Sequence, residues 1–133
     1  MDNAVGALVF VLPVIPRTKK NSQQMVQSKK TGRWFPVPSK QYKQFEKECG
    51  KYLKEIIPTN PIAVPVNIRC YFYMPTERPV DLTNLLEAVD DVLVKYGILE
   101  DDNNKIVAGH DGSRVYVDKG NPRIVVSVEE LDA

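Results

Sequence analysis

The sequence predicts an α+β fold: one domain over residues 1–133, with two main helices packed on a mixed or antiparallel sheet. Three observations carry that reading. At 133 residues the chain has the size of a single domain and buries enough surface to need no staple. Two segments, 40–57 and 82–96, repeat apolar residues at spacings of three and four, the helical period. The other apolar stretches are short, rich in Val, Ile and Tyr, and bounded by Pro, Gly or Asn, as strands are.

Val5–Val14 is the first strand, closed by Pro13 and Pro16. It is too short to span a bilayer and lacks a basic lead or a small-residue cleavage site. A core strand is therefore expected, in a cytoplasmic protein with no membrane partner. A basic polar loop, PRTKKNSQQ (16–24), follows. Residues 25–37 read as a short hairpin turning at SKKTG. Ser39 is placed to cap a helix running from Lys40 to about Ile57. Its apolar stripe is Tyr42, Phe45, Cys49, Tyr52, Leu53 and Ile56, and its lysines at 40, 43, 47, 51 and 54 form a row on another face. PTNP (58–61) ends it.

Val64–Met74 alternates as a strand, with Val66, Ile68, Cys70 and Phe72 on one side. The second helix runs from Leu82 to Tyr96 and stops at Gly97. Leu82, Leu85, Leu86, Val89, Leu93 and Tyr96 share the arc that packs on the sheet. Residues 105–117 and 122–131 read as two antiparallel strands joined at DKGNP. Cys49 and Cys70 match no metal or redox spacing and are expected as buried small hydrophobes in a reducing compartment.

The net charge of +1 hides an asymmetry. Residues 1–54 carry eleven Lys/Arg against three acids, a net +8; residues 55–133 carry seven against fourteen, a net −7. A basic half suits a polyanion and an acidic half suits cations, although two such halves can also complement each other within one fold.

Eight acids lie between Glu77 and Asp102. Asp81 opens the second helix; Asn84, Glu87 and Asp91 share one stripe of it; Glu100, Asp101 and Asp102 follow its end. Singly, each has an ordinary role: Asp81 as an N-cap, Asp101 and Asp102 as loop residues. Together they cost stability through repulsion that a hard divalent cation, Mg²⁺ or Mn²⁺, would relieve. Other chemistries lack their residues. His110 is the only histidine, which excludes a His-based zinc site, and no nucleophile elbow accompanies it for a Ser-His-Asp triad. There is no P-loop, GxGxxG or CxxC.

These residues resemble the RusA family of Holliday junction resolvases, and its phage-type members in particular. The family's helix-opening motif, Asp-x-Asp-Asn, corresponds to Asp81-Leu82-Thr83-Asn84. Its later Asp-Asp pair corresponds to Asp101-Asp102, after Gly97-Ile98-Leu99-Glu100. PRTKKNSQQ is similar to the family's basic loop, and PRIVVSVEEL to its last strand. The resemblance implies a RusA-like homodimer that nicks four-way DNA junctions symmetrically with Mg²⁺, the carboxylates positioning metal and water for in-line attack. It implies Asp81 and Asp102 as metal ligands, Asp91 in a supporting catalytic role, and Asp101 orienting a ligand. Arg17, Lys19, Lys20, Asn21 and Lys105 would meet DNA.

Two positions depart from the family pattern. Thr83 replaces its second aspartate, and Glu87 stands where a lysine is common. Thr83 and Glu87 are i,i+4 neighbours, so Glu87 is expected to resupply the missing carboxylate as a ligand, with Thr83 and Asn84 in support. A non-catalytic DNA-binding or regulatory dimer with a degraded metal site, and a small metal enzyme acting on nucleotides, are the competing readings.

Overall fold

The computed structural model describes residues 7–19 and 23–131. Seven strands and two helices follow in the order β1 (Ala7–Leu12), β2 (Gln23–Gln27), β3 (Trp34–Pro38), α1 (Lys40–Leu53), β4 (Val66–Met74), α2 (Leu82–Lys95), β5 (Val107–Gly109), β6 (Arg114–Val117) and β7 (Arg123–Glu130).

β4 is the centre of the main sheet. On one side it pairs antiparallel with β7, which pairs in turn with β1. On the other it pairs parallel with β5 and then β6. The parallel pairing needs a crossover, and α2 supplies it. The alternation of β4 places Val66, Ile68, Cys70 and Phe72 on the covered face, as the sequence predicts. Ile124, Val126 and Val128 of β7 join them. Tyr42, Phe45, Cys49 and Leu53 of α1 and Leu85, Val89 and Leu93 of α2 close the same core. Both cysteines are buried and unpaired. The opposite sheet face is open. There Tyr73 stacks on Tyr116 at 5.2 Å between centroids, and the Arg123 guanidinium lies 3.8 Å from the centre of the Tyr73 ring.

Helix ends follow the expected chemistry. Ser39 Oγ accepts from the Tyr42 N–H at 3.1 Å, capping α1. α1 is shorter than its periodicity predicts and loosens into turns after Leu53. Gly97, at φ +82°, ends α2, and the Ile98 N–H donates back to the Leu93 carbonyl at 2.9 Å. The buried face of α2 is wider than one arc. It adds Ala88, Asp90 and Val92, while Leu82 and Tyr96 are only half-buried.

The expected strand 105–117 is two pieces. Gly109, Asp111 and Gly112 (φ +85°) break it with a turn. Within the gap the Ser113 hydroxyl accepts from the Cys70 N–H at 3.0 Å, so β4 loses no hydrogen bond there. Nor do 105–117 and 122–131 pair with each other. β6 and β7 flank β4 on opposite sides, so the DKGNP connection crosses the end of β4 instead of closing a hairpin.

α1 lies so near the end of α2 that Gly50 admits no side chain. An added Cβ would meet Tyr96 Cζ at 2.5 Å. We predict that Gly50→Ala lowers stability by about 1 kcal/mol, its gain in helix propensity outweighed by overpacking. In a Tyr96→Ala background the same substitution should stabilise by about 1 kcal/mol. A double-mutant cycle by urea unfolding measures both.

Candidate active site

α2 presents its acids to three environments. Asp81 sits at the N-cap but makes no side-chain cap bond. Its Oδ2 accepts from Asn84 Nδ2 at 3.2 Å, which orients the carboxylate away from the helix N–H groups. Thr83 and Glu87 are exposed. Asp81 stands ten residues before Asp91, roughly 15 Å along the axis at 1.5 Å per residue.

Asp90 and Asp91 lie one residue apart and differ in every respect. Asp90 is 7% exposed. Both its oxygens approach His110 Nε2, at 3.1 and 2.9 Å. His110 comes from the turn that splits β5 from β6. Burial pushes the Asp90 carboxyl up and the imidazole pulls against it. His110 is held above its ordinary value chiefly by the hydrogen bond to Asp90, against the effect of its own burial. Of the two displacements, that of His110 is the one the geometry enforces, since both carboxylate oxygens face one ring nitrogen.

The sequence analysis assigns no role to Asp90 and no partner to His110. The structure corrects both: they are one buried pair tying α2 to the sheet edge.

Asp91 has no such partner. Among the described residues it makes no hydrogen bond or ion pair. Burial pushes its carboxyl up first, Lys19 opposes, and Asp102, Glu87 and Asp90 add to the rise. Two expected site residues, Glu87 and Asp102, therefore act on a third, Asp91. Asp101 accepts from the Asp102 N–H at 2.7 Å and from Asn103 Nδ2 at 3.0 Å, so its carboxylate fixes the loop and leaves that of Asp102 free. Lys105 is exposed on the same loop, its N–H bound to Asn103 Oδ1.

Tyr42 is a further residue the sequence did not single out. It is 1% exposed, and its hydroxyl has no hydrogen-bond partner among the described residues. Its pKa is raised by burial, then by Glu46, Asp91, Cys49 and Glu87. A buried unpaired donor thus lies within the field of the acidic stripe.

The basic segment runs over α2. Val14, Pro16 and Thr18 are buried, and Arg17 shares a surface groove of about 360 Å³ with Arg78 and Leu85 beside the helix start. Lys19 is exposed and reaches the field of Asp91. Lys20 and Asn21 lie outside the described residues. The lysine row of α1 is exposed along its length.

The donor set fits a hard divalent cation in two respects: its ligands are carboxylate oxygens, and Asp91 and Tyr42 are polar groups left unmatched beside them. The side chains share one field without converging on one point. Among the described residues no three His, Cys, Asp or Glu side chains form a metal-holding group. No helix there is long and apolar enough to cross a membrane.

Two outcomes follow. His110→Ala should cost about 2–3 kcal/mol, less than a fully buried pair because the imidazole keeps 28% exposure. Because the pKa of His110 is raised on folding, its stabilisation is full below about pH 6.5 and is lost as pH rises through the folded value. Urea unfolding in chelator from about pH 6 to about pH 9 should show that fall in the wild type and not in the double variant Asp90→Asn/His110→Ala, in which neither partner titrates. Tyr42→Phe should leave stability unchanged or raise it by up to ~1 kcal/mol, since no hydrogen bond is lost; thermal melts check this.

Comparison with known proteins agrees with the topology. No curated protein matches the chain at a significant level. The family model for endodeoxyribonuclease RusA matches residues 13–129, from the basic segment through β7. The fold, two helices on one face of a mixed sheet, is consistent with that family. The chain belongs to the RusA endodeoxyribonuclease family, whose nucleases act on Holliday junctions.

Proposed function

We propose that the whole chain, residues 1–133, acts as one domain of a homodimeric nuclease. It resolves four-way DNA junctions by paired symmetric nicks and depends on Mg²⁺, with Mn²⁺ as a substitute. One observation carries this reading: among the described residues Asp91 is a half-buried carboxylate without a hydrogen-bond or ion-pair partner, in the field of Glu87, Asp102 and the basic residue Lys19. Acids that repel one another and cations that hold phosphate meet there.

Asp91 and Asp102, with Glu87, would hold the cation, and Asp81 belongs to the set through its motif position. When bound, the cation would neutralise charge on the scissile phosphate and lower the pKa of an attacking water. Glu87 would supply the oxygen that Thr83 lacks. Asn84 orients Asp81 through the bond described above. Asp101 holds the loop so that the Asp102 carboxylate stays free. Arg17, Lys19 and Lys105 would grip phosphates flanking the cut, with Lys20 and Asn21 beside them. Two symmetric nicks call for two sites, and each chain carries one. A cytoplasmic location belongs to the same reading, supported by two buried cysteines that remain unpaired.

A non-catalytic junction-binding dimer is the second reading. It is favoured by Thr83 and by the lack of a converged group of three ligands among the described residues. The discriminating experiment incubates the protein with a four-way junction or a matched linear duplex, with and without Mg²⁺ or Mn²⁺. Metal-dependent paired nicks on the junction alone are expected; binding without cleavage under every metal condition would establish the second reading instead.

Asp91→Asn and Asp102→Asn should each lower cleavage roughly 100-fold or more while junction binding persists. Glu87→Gln should raise the Mg²⁺ concentration needed for half-maximal cleavage roughly tenfold or more. An unchanged rate and metal dependence in that variant would remove Glu87 from the ligand set.

A further inference from the structure

The hairpin β2–β3 stands on its own and is bare on both faces. Its strands pair only with each other, as a two-stranded sheet apart from the main one. Successive strand residues point to opposite faces. Yet Met25 and Val26 are 57% and 39% exposed, and Trp34 and Phe35 are 61% and 42% exposed. None of the four belongs to the core or packs against it. A two-stranded ribbon with no covering surface is marginal in water, and large exposed apolar side chains grouped together mark a contact surface.

The tip is shaped in advance. Ser28 Oγ accepts from the N–H groups of Lys30 and Thr31, both at 3.3 Å. Gln27 Nε2 donates to the Gly32 carbonyl at 3.1 Å, and Gly32 takes φ +73°. The turn thereby carries three exposed cations, Lys29, Lys30 and Arg33. From Arg17 to Lys43 the chain has eight Lys/Arg and no acid. A partner that covers this arm is therefore a polyanion with flat apolar surfaces. A second copy of the same acid-free arm would face its own charge.

Residues flanking the hairpin are coupled to the acidic stripe. Lys19, four residues before β2, acts on Asp91, and Tyr42, four residues after β3, is acted on by Asp91 and Glu87. We infer that the hairpin is a DNA arm: Trp34 and Phe35 lie against bases whose stacking is interrupted at a branch point, and Lys29, Lys30 and Arg33 sit on the flanking phosphates. This rests on the junction reading above and adds what selects a junction over a duplex. Bases within a continuous duplex are stacked on one another, whereas a branch point offers a base face to an aromatic side chain. Phosphate contacts from the tip bind either substrate.

Two variants test this: Trp34→Ala, and a tip variant carrying Lys29→Gln, Lys30→Gln and Arg33→Gln. Equilibrium binding to a four-way junction and to a linear duplex of the same sequence is measured over a salt series, with 2-aminopurine fluorescence at the branch point. All four residues altered in these variants are exposed, and circular dichroism checks that each variant folds. Trp34→Ala should weaken junction binding roughly tenfold, the loss of one stacked base, with duplex binding changed less than about twofold and the 2-aminopurine signal reduced. The tip variant should weaken both and flatten the salt slope by about two to three.

A wild-type protein that resolves junctions, with Trp34→Ala binding them unchanged, overturns the arm and leaves the nuclease reading intact. A wild-type protein with no preference for the junction overturns both. Loss of a dimer in Trp34→Ala by sedimentation, with junction affinity per dimer unchanged, would assign the arm to self-association and overturn the DNA role.

Discussion

The parallel pairing of β4 with β5 and β6 is the constraint on which the rest of the molecule depends. A strand that pairs antiparallel with β7 on one side and parallel on the other must have its chain carried back across the sheet face. α2 is that return, and every acid of interest lies on it or on the loop that leaves it. The crossover also decides which acids can meet. Asp81 marks the start of the return, Asp102 follows its end, and Asp91 lies in the half of the helix nearer the loop. The N-terminal segment runs on past β1 and lays Arg17, Thr18 and Lys19 over the same helix. Basic and acidic halves of the sequence therefore become two sides of one site.

Adjacent aspartates are treated in opposite ways within that site. Asp90 is buried and matched by His110, an arrangement that holds α2 to the broken sheet edge. Asp91 is half-buried and, among the described residues, has no hydrogen-bond or ion-pair partner; it lies in the field of Glu87, Asp90 and Asp102 with Lys19 as its counterweight. Carboxylates that burial and like charges push toward protonation are unfavourable without a function. The orphaned Tyr42 hydroxyl in the same region is a second polar group left unmatched by the fold. Stability is conceded at the place where a cation and a phosphate would restore it, while the neighbouring aspartate anchors the helix.

The sequence made the skeleton legible because period and punctuation agreed. The alternation of Val66 to Phe72, the cap at Ser39, the stop at Gly97 and the turn between Gln27 and Trp34 all appear where their chemistry puts them. Pairing partners were less legible. Residues 105–117 and 122–131 look like a hairpin, but the hydrogen-bonding edge of β4 attracts β6 and β7 separately, and strand alternation carries no record of which edge is free. The site was half legible. The clustering of acids is visible in the sequence, but no spacing pairs Asp90 with His110. Only the position of His110, a long-range fact, makes Asp90 buried. Tyr42 was read correctly as a core position, and nothing in its spacing reveals a hydroxyl without a partner.

A bound divalent cation would relieve the repulsion around Asp91. Thermal unfolding over a series of Mn²⁺ and Mg²⁺ concentrations, in wild type, Asp91→Asn and Asp102→Asn, tests it without reference to activity. A saturable rise in the wild-type Tm with either ion is expected. In metal-free buffer Asp91→Asn should melt higher than the wild type, and both variants should lose most of the metal-induced rise. A wild-type Tm indifferent to both ions, or a rise of equal size in all three proteins, would contradict it.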